Sequence, residues 1–342
     1  MLKLFQPYVS DEAKKLCMEV LDSNYLTEGE QVKLFEKEFG EKFGLQNVVA
    51  LNSGTSALEL AYELAGIKEG DEVLTPVFTC TATNIPLLHL KAKIVFVDTD
   101  YDLNINIEDI KKKITDKTKA IVFVHFGGNN RGLKEIQEIA RGFGIPVIED
   151  AAQAVGSEYW GTSEFACVST QAIKTLTSGD GGFLICKDKQ SADKARRLRW
   201  FGFDREVKQK VGNCDVVDVG YKKHMNNINA AIGRGNLIVI DKLLEHRKDL
   251  AWIYEIYGLV CHPWLAGGMT NKYEELKKAM ADEGYEIGQA HYRNDMYSIF
   301  KHLKNYCPTM DIIEGRYFFV PYHHGITEED AHKIGKLCQQ LR

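Results

Sequence analysis

A lysine, Lys174, stands in a stretch of the chain that carries almost no other charge. Residues 169–182 read STQAIKTLTSGDGG, so the lysine follows a serine by five residues and precedes a glycine-rich turn by five. Surface lysines generally have charged neighbours, whereas a partly desolvated lysine amine is more easily neutral and nucleophilic. The pattern favours a lysine that forms a Schiff base with a carbonyl group. A solvated loop lysine is the alternative.

A carboxylate and a hydroxyl-rich turn offer chemistry that would complement such a lysine. Asp150 ends the apolar run at residues 145–150, and strands of this kind place their carboxyl ends where α/β proteins bind ligands. Beside a pyridine nitrogen, this carboxylate would keep the nitrogen protonated, so that the ring could accept electrons. The turn Ser53-Gly-Thr-Ser56 offers hydroxyl and backbone N–H groups to a phosphate at a helix N-terminus. Taken alone, each feature also fits an ordinary helix cap.

Over about residues 45–190, strand patterns alternate with helix patterns along the chain. These elements must position the groups described above. The strand-like runs are residues 48–51, 72–74, 93–97, 120–124, 145–148 and 182–185. This alternation predicts an α/β fold with a mainly parallel central sheet flanked by helices. After about residue 215 the pattern changes. We predict a large domain over residues 1–240 and a smaller C-terminal α+β domain over residues 241–342.

Composition argues against several classes of protein. The chain has 342 residues, of which 44% are hydrophobic and 27% charged, and its net charge of −5 disfavours a nucleic-acid or anionic-membrane surface. No apolar run reaches the roughly 18 residues of a membrane helix, and the amino-terminal residues lack a signal-peptide pattern. The eight cysteines are scattered without a C-x-x-C pair, which indicates reduced thiols and no metal site. We therefore expect a cytoplasmic protein.

In this order, the motifs closely resemble the DegT/DnrJ/EryC1/StrS family of sugar aminotransferases, which are pyridoxal 5′-phosphate (PLP) enzymes of fold-type I. The resemblance extends over nearly the whole chain. It is carried by Leu26-Thr-Glu-Gly29, Ser53-Gly-Thr-Ser-Ala-Leu58, Glu149-Asp-Ala-Ala-Gln153, the Lys174 segment, Gly220-Tyr221, Ala230-Ala-Ile-Gly233 and Thr327-Glu-Glu-Asp330. The resemblance implies the fold-type I architecture and PLP as the cofactor.

The resemblance also implies a role for each matching residue. Lys174 would form the internal aldimine and then move a proton between Cα and C4′, while Asp150 would pair with the pyridine nitrogen. Gln153 would lie by the 3′-oxygen or against the ring. The other implied cofactor residues are Gly54, Thr55 and Ser169 at the phosphate, Ser56 in the same turn, Cys80 where many members stack an aromatic ring, and Lys222 reaching the phosphate from the partner subunit.

The family's active site lies at a dimer interface, so the resemblance implies a homodimer. Many members have asparagine where this chain has Lys222, and a solvent-facing loop lysine is the alternative there. For the substrate the candidates are His291, Arg293 and Arg205, with ordinary packing and ion pairing as the alternative. Residues 156–165 and 257–264 are shorter than is usual in the family, and the second of these makes the C-terminal domain a shortened one.

The implied reaction is a transamination. Glutamate, the usual donor, converts PLP to pyridoxamine phosphate, and the ketone of a nucleotide-linked keto-deoxysugar then takes the amine. A PLP- or PMP-dependent sugar dehydratase or lyase is one alternative, although the family's dehydratases have histidine in place of Lys174. A nicotinamide-dependent dehydrogenase would need a G-x-G-x-x-G motif after the first strand, which is absent. A non-catalytic binding or regulatory relative would have no chemical need for both Lys174 and Asp150.

Overall fold

A seven-stranded sheet forms the centre of the fold. The computed structural model describes residues 1–303 and 306–341. The strands of this sheet are β1 (Val48–Leu51), β2 (Glu72–Pro76), β3 (Lys93–Val97), β4 (Thr118–Val124), β5 (Val147–Asp150), β6 (Phe165–Ser169) and β7 (Gly182–Cys186). Their order is β1-β7-β6-β5-β4-β2-β3, and β7 runs antiparallel to both of its neighbours while the others are parallel to one another.

Helices cover both faces of this sheet. They are α1 (Asp11–Ser23), α2 (Glu30–Phe43), α3 (Gly54–Leu64), α4 (Thr81–His89), α5 (Ile107–Lys113), α6 (Leu133–Phe143), α7 (Lys189–Leu198), α8 (Arg205–Val211) and α9 (Asn227–Ile238). Strand β7 shows how the two faces are filled. Phe183 packs with Phe35 and Phe39 of α2, whereas Leu184 packs on the opposite face with apolar residues of α3. Alternate strand residues point to opposite faces, so one buried strand serves two cores.

The C-terminal part of the chain has its own sheet and helices. It contains α10 (Ile240–Ile256), β8 (Val260–Cys261), β9 (Ala266–Met269), α11 (Tyr273–Asp282), α12 (Pro308–Ile313), β10 (Tyr317–Val320) and α13 (Glu328–Gln340). Its strands form an antiparallel sheet in the order β10-β9-β8. The predicted α/β class with a mainly parallel sheet is confirmed. The division into domains at residue 240 stays a prediction.

The direction of the strands brings distant parts of the sequence to one edge of the large sheet. The six parallel strands end there, and β7 begins there, with Gly182 paired to both Leu51 and Ser169. We call this the carboxyl edge. In α/β sheets ligands bind outside the carboxyl ends of the strands. None of the helices in residues 1–303 and 306–341 combines the length and hydrophobicity needed to cross a bilayer.

Candidate active site

The turn between β1 and α3 contacts the end of β6 at the carboxyl edge. Ser53 caps α3, and its side chain accepts a hydrogen bond from the N–H of Ser56 at 3.0 Å. A Cβ atom added to Gly54 would lie only 2.8 Å from Cβ of Ser169, so the two segments approach too closely for any side chain at position 54. The first N–H groups of a helix have no partner within it. Gly54 and Thr55 therefore present such groups beside Ser169, which suits a phosphate.

Two hydroxyl groups of this region have partners within the chain. The Ser56 hydroxyl donates to Oδ1 of Asn52 at 2.7 Å, and the residue is buried. The Ser169 hydroxyl oxygen accepts from the N–H of Gln171 at 3.3 Å, and its own proton has no hydrogen-bond acceptor among the described residues. The geometry therefore gives Ser169 a free donor at the carboxyl edge, whereas Ser56 supports the turn from inside.

Asp150 ends β5 as a buried carboxylate. Its Oδ2 accepts from the Thr83 hydroxyl at 2.7 Å, and its Oδ1 accepts from the N–H of Ala152 at 3.2 Å. Because the Thr83 proton goes to Asp150, the Thr83 oxygen accepts from the Thr79 hydroxyl 2.8 Å away. Burial raises the pKa of Asp150, while these hydrogen bonds and the charge of Lys174 partly oppose that rise. A cationic partner at the free side of the carboxylate would stabilise its charged form.

Lys174 lies on the link between β6 and β7. The two ends of this link are joined by a hydrogen bond from the N–H of Thr170 to the carbonyl oxygen of Gly181, at 2.9 Å. The lysine Nζ sits over the indole ring of Trp264, 4.1 Å from the ring centroid. Burial lowers the pKa of Lys174, although the negative charge of Asp150 partly opposes this. The amine is thus easier to obtain in the neutral, nucleophilic form, and it interacts electrostatically with the carboxylate expected to share its cofactor.

Gln153 links the carboxyl edge to the C-terminal part of the chain. Its Oε1 accepts from the N–H of Gly127 at 2.6 Å, and its Nε2 lies 3.1 Å from Nε2 of His291. Burial and the positive charge of Lys174 lower the pKa of His291 to about 3. A neutral His291 accepts the amide proton of Gln153 at Nε2 and carries its own proton at Nδ1. The structure therefore brings His291 next to Gln153 and near Lys174.

Cys80 and Lys222 occupy different surroundings. Cys80 is the residue before α4, is partly buried, and lies near enough to Lys174 to influence the pKa of the lysine. Lys222 is exposed, and its backbone pairs with Trp200 in an isolated bridge. Among the described residues it has no ion-pair partner. This exposure suits a side chain that reaches a second subunit, which stays a prediction.

Arg293 is held by carboxylates of its own chain. Its Nε and Nη2 donate to the two oxygens of Asp295 at 2.6 and 2.8 Å, and its Nη1 contacts Asp311 and, at 3.2 Å, Glu314. Three acidic side chains thus surround one buried guanidinium. These contacts match the ion-pair alternative, and contact of Arg293 with substrate stays a prediction.

Arg205 likewise has an acidic partner. It begins α8, its Nη1 lies 3.1 Å from Glu28, and its guanidinium stacks 4.3 Å from the centroid of the Trp200 ring. Substrate contact by Arg205 also stays a prediction. An arginine in a sequence looks the same whether a ligand or a local carboxylate will neutralise it.

Sequence reasoning missed two residues that touch the central pair. Thr83 donates to Asp150, and Trp264 covers the amine of Lys174. Thr83 follows the predicted stacking position by three residues, so the threonine-rich segment at residues 79–84 was an available signal. Trp264 lies 90 residues beyond Lys174, and no local pattern connects the two.

The residues at the carboxyl edge fit PLP. The tight approach of Gly54 to Ser169 leaves N–H and hydroxyl donors for the phosphate. Asp150 is buried, and none of the cationic side chains in the described residues is bonded to it, as a pyridinium nitrogen would require. The Lys174 amine can bond to the aldehyde carbon.

Comparisons with known proteins identify the family of this chain. The model of the DegT/DnrJ/EryC1/StrS aminotransferase family matches residues 7–257. The GDP-perosamine synthase of Escherichia coli O157:H7 is 33% identical over 313 residues, covering 85% of each chain. The UDP-4-amino-4-deoxy-L-arabinose–oxoglutarate aminotransferase of Shewanella sediminis is 34% identical over 263 residues, covering 74% of this chain and 68% of the relative.

A solved structure is similar over the entire length. The sugar aminotransferase CalS13 from Micromonospora echinospora has a TM-score of 0.93 and 29% identity, and the match covers 99% of this chain and 100% of CalS13. Aminotransferases of this family use PLP, so the expected fold-type I architecture, cofactor and enzyme class are confirmed. The chain belongs to the DegT/DnrJ/EryC1/StrS aminotransferase family.

Proposed function

We propose that this aminotransferase moves the amino group of glutamate to the ketone of a nucleotide-linked keto-deoxysugar. The observation that carries the proposal is the placement of Lys174 and the buried carboxylate of Asp150 at the carboxyl edge, where the lysine amine lies over Trp264 and each charge affects the pKa of the other group. Two relatives have names that include a sugar carrying GDP or UDP, and one of them is named as an oxoglutarate aminotransferase. Oxoglutarate is what glutamate becomes when it gives up its amino group.

Each residue of the site has a separate task in this reaction. Bound PLP supplies a ring that accepts the electrons left behind when a Cα proton departs. Asp150 keeps the ring nitrogen protonated, with its own orientation fixed by Thr83. Lys174 Nζ takes the proton from Cα and returns it at C4′, for which a lowered pKa is suitable. Gln153 holds the 3′-oxygen side of the ring, and its bond to His291 fixes the amide.

The phosphate group of PLP completes the alignment of the cofactor in the site. The N–H groups of Gly54 and Thr55 and the hydroxyl of Ser169 bind it at the start of α3, where the helix dipole favours an anion. Cys80 contacts the cofactor ring in place of the aromatic residue that many members have, so the stacking area there is smaller. A smaller contact makes the polar anchors relatively more important for cofactor affinity.

The working form is a homodimer. The segment before Lys222 exposes Val216, Val217 and Val219 to solvent by 60, 61 and 90% of their surfaces. Neighbouring exposed valines are expected to be covered by another protein surface. With the partner seated on this segment, the exposed ammonium group of Lys222 reaches the partner's phosphate as a point charge.

The enzyme acts in the cytoplasm. All eight cysteines are free thiols, which matches a reducing compartment. Its substrates are small molecules, and its net charge of −5 disfavours a surface for nucleic acid.

The test is an absorption spectrum of the purified protein with added PLP, before and after glutamate. We expect a visible band from lysine-bound PLP that glutamate converts to a near-ultraviolet band, and that Lys174→Ala lacks. Nucleotide-linked keto sugars are then tested for restoring the visible band. A protein that stays colourless with PLP contradicts the catalytic proposal, and a band that ignores glutamate contradicts the proposed donor.

A further inference from the structure

Trp264 makes three contacts with the segments that form the site. One face of its indole lies under Nζ of Lys174, 4.1 Å from the ring centroid. Its Nε1–H donates to the carbonyl oxygen of Ile173 at 3.3 Å, next to the lysine in sequence. Its backbone N–H donates to the carbonyl oxygen of Gly127 at 2.7 Å, and the N–H of Gly127 is the donor to Gln153. The indole is therefore fixed relative to both Lys174 and Gln153.

The indole of Trp264 also packs against Phe5. The two rings are stacked, with 4.9 Å between centroids and 11° between planes, and Trp264 is only 2% exposed. The N-terminal segment that carries Phe5 is itself anchored. Leu2 exchanges backbone hydrogen bonds with Gly284 and Glu286, at 2.7 and 2.9 Å. The stacked ring of Phe5 thus helps to hold the indole of Trp264 in place.

The electrostatics of this arrangement depend on the charge of Lys174. An indole face attracts an ammonium ion, and the attraction grows when both groups are removed from water. A neutral amine is not held in this way. Asp150, the nearby carboxylate, favours the same charged form, while burial favours the neutral one.

We infer that Trp264 is a positioning residue for Lys174, whose ε-amino group it holds over the indole ring while the lysine is protonated and not bonded to the cofactor. The inference rests on the proposed function, in which Lys174 alternates between a cofactor-bound and a free form. In the free form the flexible four-carbon side chain has many conformations available, and the ring selects the one beside Gln153 and Asp150. The ring thereby keeps the Lys174 amine within reach of the cofactor between the two half-reactions.

The experiment measures the titration of the free lysine in cofactor-free protein. Lys174 is acetylated with a trace of acetic anhydride between pH 6 and 10, and its labelling is compared with that of other lysine peptides by mass spectrometry. Removing the ring in Trp264→Leu should lower the labelling midpoint by about one pH unit, because the charged form loses its partner. Trp264→Phe keeps an aromatic face and should restore part of the shift.

Two further variants separate positioning from general packing. Trp252→Leu removes an indole of α10 that is 68% exposed, and it should leave the midpoint of Lys174 unchanged. Phe5→Leu removes the ring that stacks on Trp264, and it should lower the labelling midpoint of Lys174 by a smaller amount than Trp264→Leu does. If Trp264→Leu does not fold, Phe5→Leu and Trp264→Phe test whether Trp264 positions Lys174.

An unchanged midpoint in the folded variants overturns the inference. So does a raised midpoint, since that would mean Trp264 acts only by excluding water. Neither outcome depends on catalysis. Failure of the proposed function would instead appear in the wild-type protein, either as a missing visible band with PLP or as a band that glutamate does not change.

Discussion

The side-chain amide nitrogen of Gln153 lies 3.1 Å from Nε2 of His291, across 138 residues of sequence. The amide oxygen of Gln153 is already used by the N–H of Gly127, so the nitrogen must be the donor toward the histidine. His291 can accept only when that nitrogen has no proton. The bond therefore requires the neutral histidine that its lowered pKa provides.

This requirement predicts a loss of stability in acid. The pKa of His291 is lowered from 6.5 to about 3 in the folded chain. Between these two pH values the unfolded chain binds a proton at this residue, whereas the folded chain does not. Stability present above pH 6.5 is lost as the pH falls toward 3, by about 1 kcal/mol at pH 5.5 for this one group. His291→Gln should lose less stability between pH 7.5 and 5.5 than the wild type, measured as the shift in urea midpoint.

The matched control is His302→Gln, because His302 is exposed. It should follow the wild-type pH dependence. Equal acid losses in the wild type and His291→Gln would contradict a neutral His291 in the folded protein.

The hydrogen-bonded series Thr79–Thr83–Asp150 predicts graded effects on the half-reaction with glutamate. Asp150→Asn should slow it by about 100- to 1,000-fold, the usual cost of losing a preorganised electrostatic partner. Thr83→Val removes one bond to the carboxylate and should slow it by about tenfold. Thr79→Val, one step further away, should have the smallest effect. Stopped-flow absorbance at saturating PLP measures all three, and a reversed order would contradict the proposed role of Asp150.

The close approach of Gly54 and Ser169 predicts that no side chain is tolerated at position 54. Gly54→Ala should destabilise the protein by about 1–3 kcal/mol, as overpacking usually does, and should weaken PLP binding because α3 is displaced. Thermal unfolding and PLP titration measure the two effects. Adding Ser169→Gly relieves the contact and should recover stability but not full affinity.

Gly142→Ala is the control for this substitution. It lies in α6, and an added Cβ meets nothing within 4 Å. The change should be neutral or stabilising by up to about 1 kcal/mol. Comparable losses at Gly54 and Gly142 would mean that the approach to Ser169 is not the cause.

The proposed dimer predicts complementation between two defective variants. Lys174→Ala should be inactive, and Lys222→Ala should bind PLP less tightly. If Lys222 serves the partner's site, a mixed dimer has one site with both defects and one with neither. Mixing equal amounts after reversible dissociation should therefore restore up to about a quarter of wild-type activity. Activity that never exceeds the mean of the two variants would place Lys222 outside the partner's site.

Much of the fold was predictable because its elements follow local patterns. Parallel strands buried on both faces read as continuous apolar runs, and the groups that follow such strands meet at one edge whatever their distance in sequence. The family resemblance implied that Gly54 and Ser169 share a phosphate site, and this strand pattern explains how residues so far apart in the sequence can lie at one edge.

The contacts made by the C-terminal part could not be predicted in the same way. Trp264 and His291 reach the site through a second sheet and its loops, whose approach depends on packing between distant surfaces. Arg293 and Arg205 illustrate a related difficulty. Their charge suggested a ligand, but Arg205 pairs with the distant Glu28 and Arg293 with Asp295, two residues away, and only the folded structure shows that these pairs form.

The reversed direction of β7 limits where the length of the chain can vary in this enzyme. Because β7 returns the chain directly to the edge that β6 has just left, residues 170–181 form a short link pinned at both ends, with no crossover helix to absorb a change of length. An insertion there would shift the amine of Lys174 away from Asp150. Adaptation to a new sugar must therefore occur in the surrounding loops, while the reactive nitrogen keeps its place.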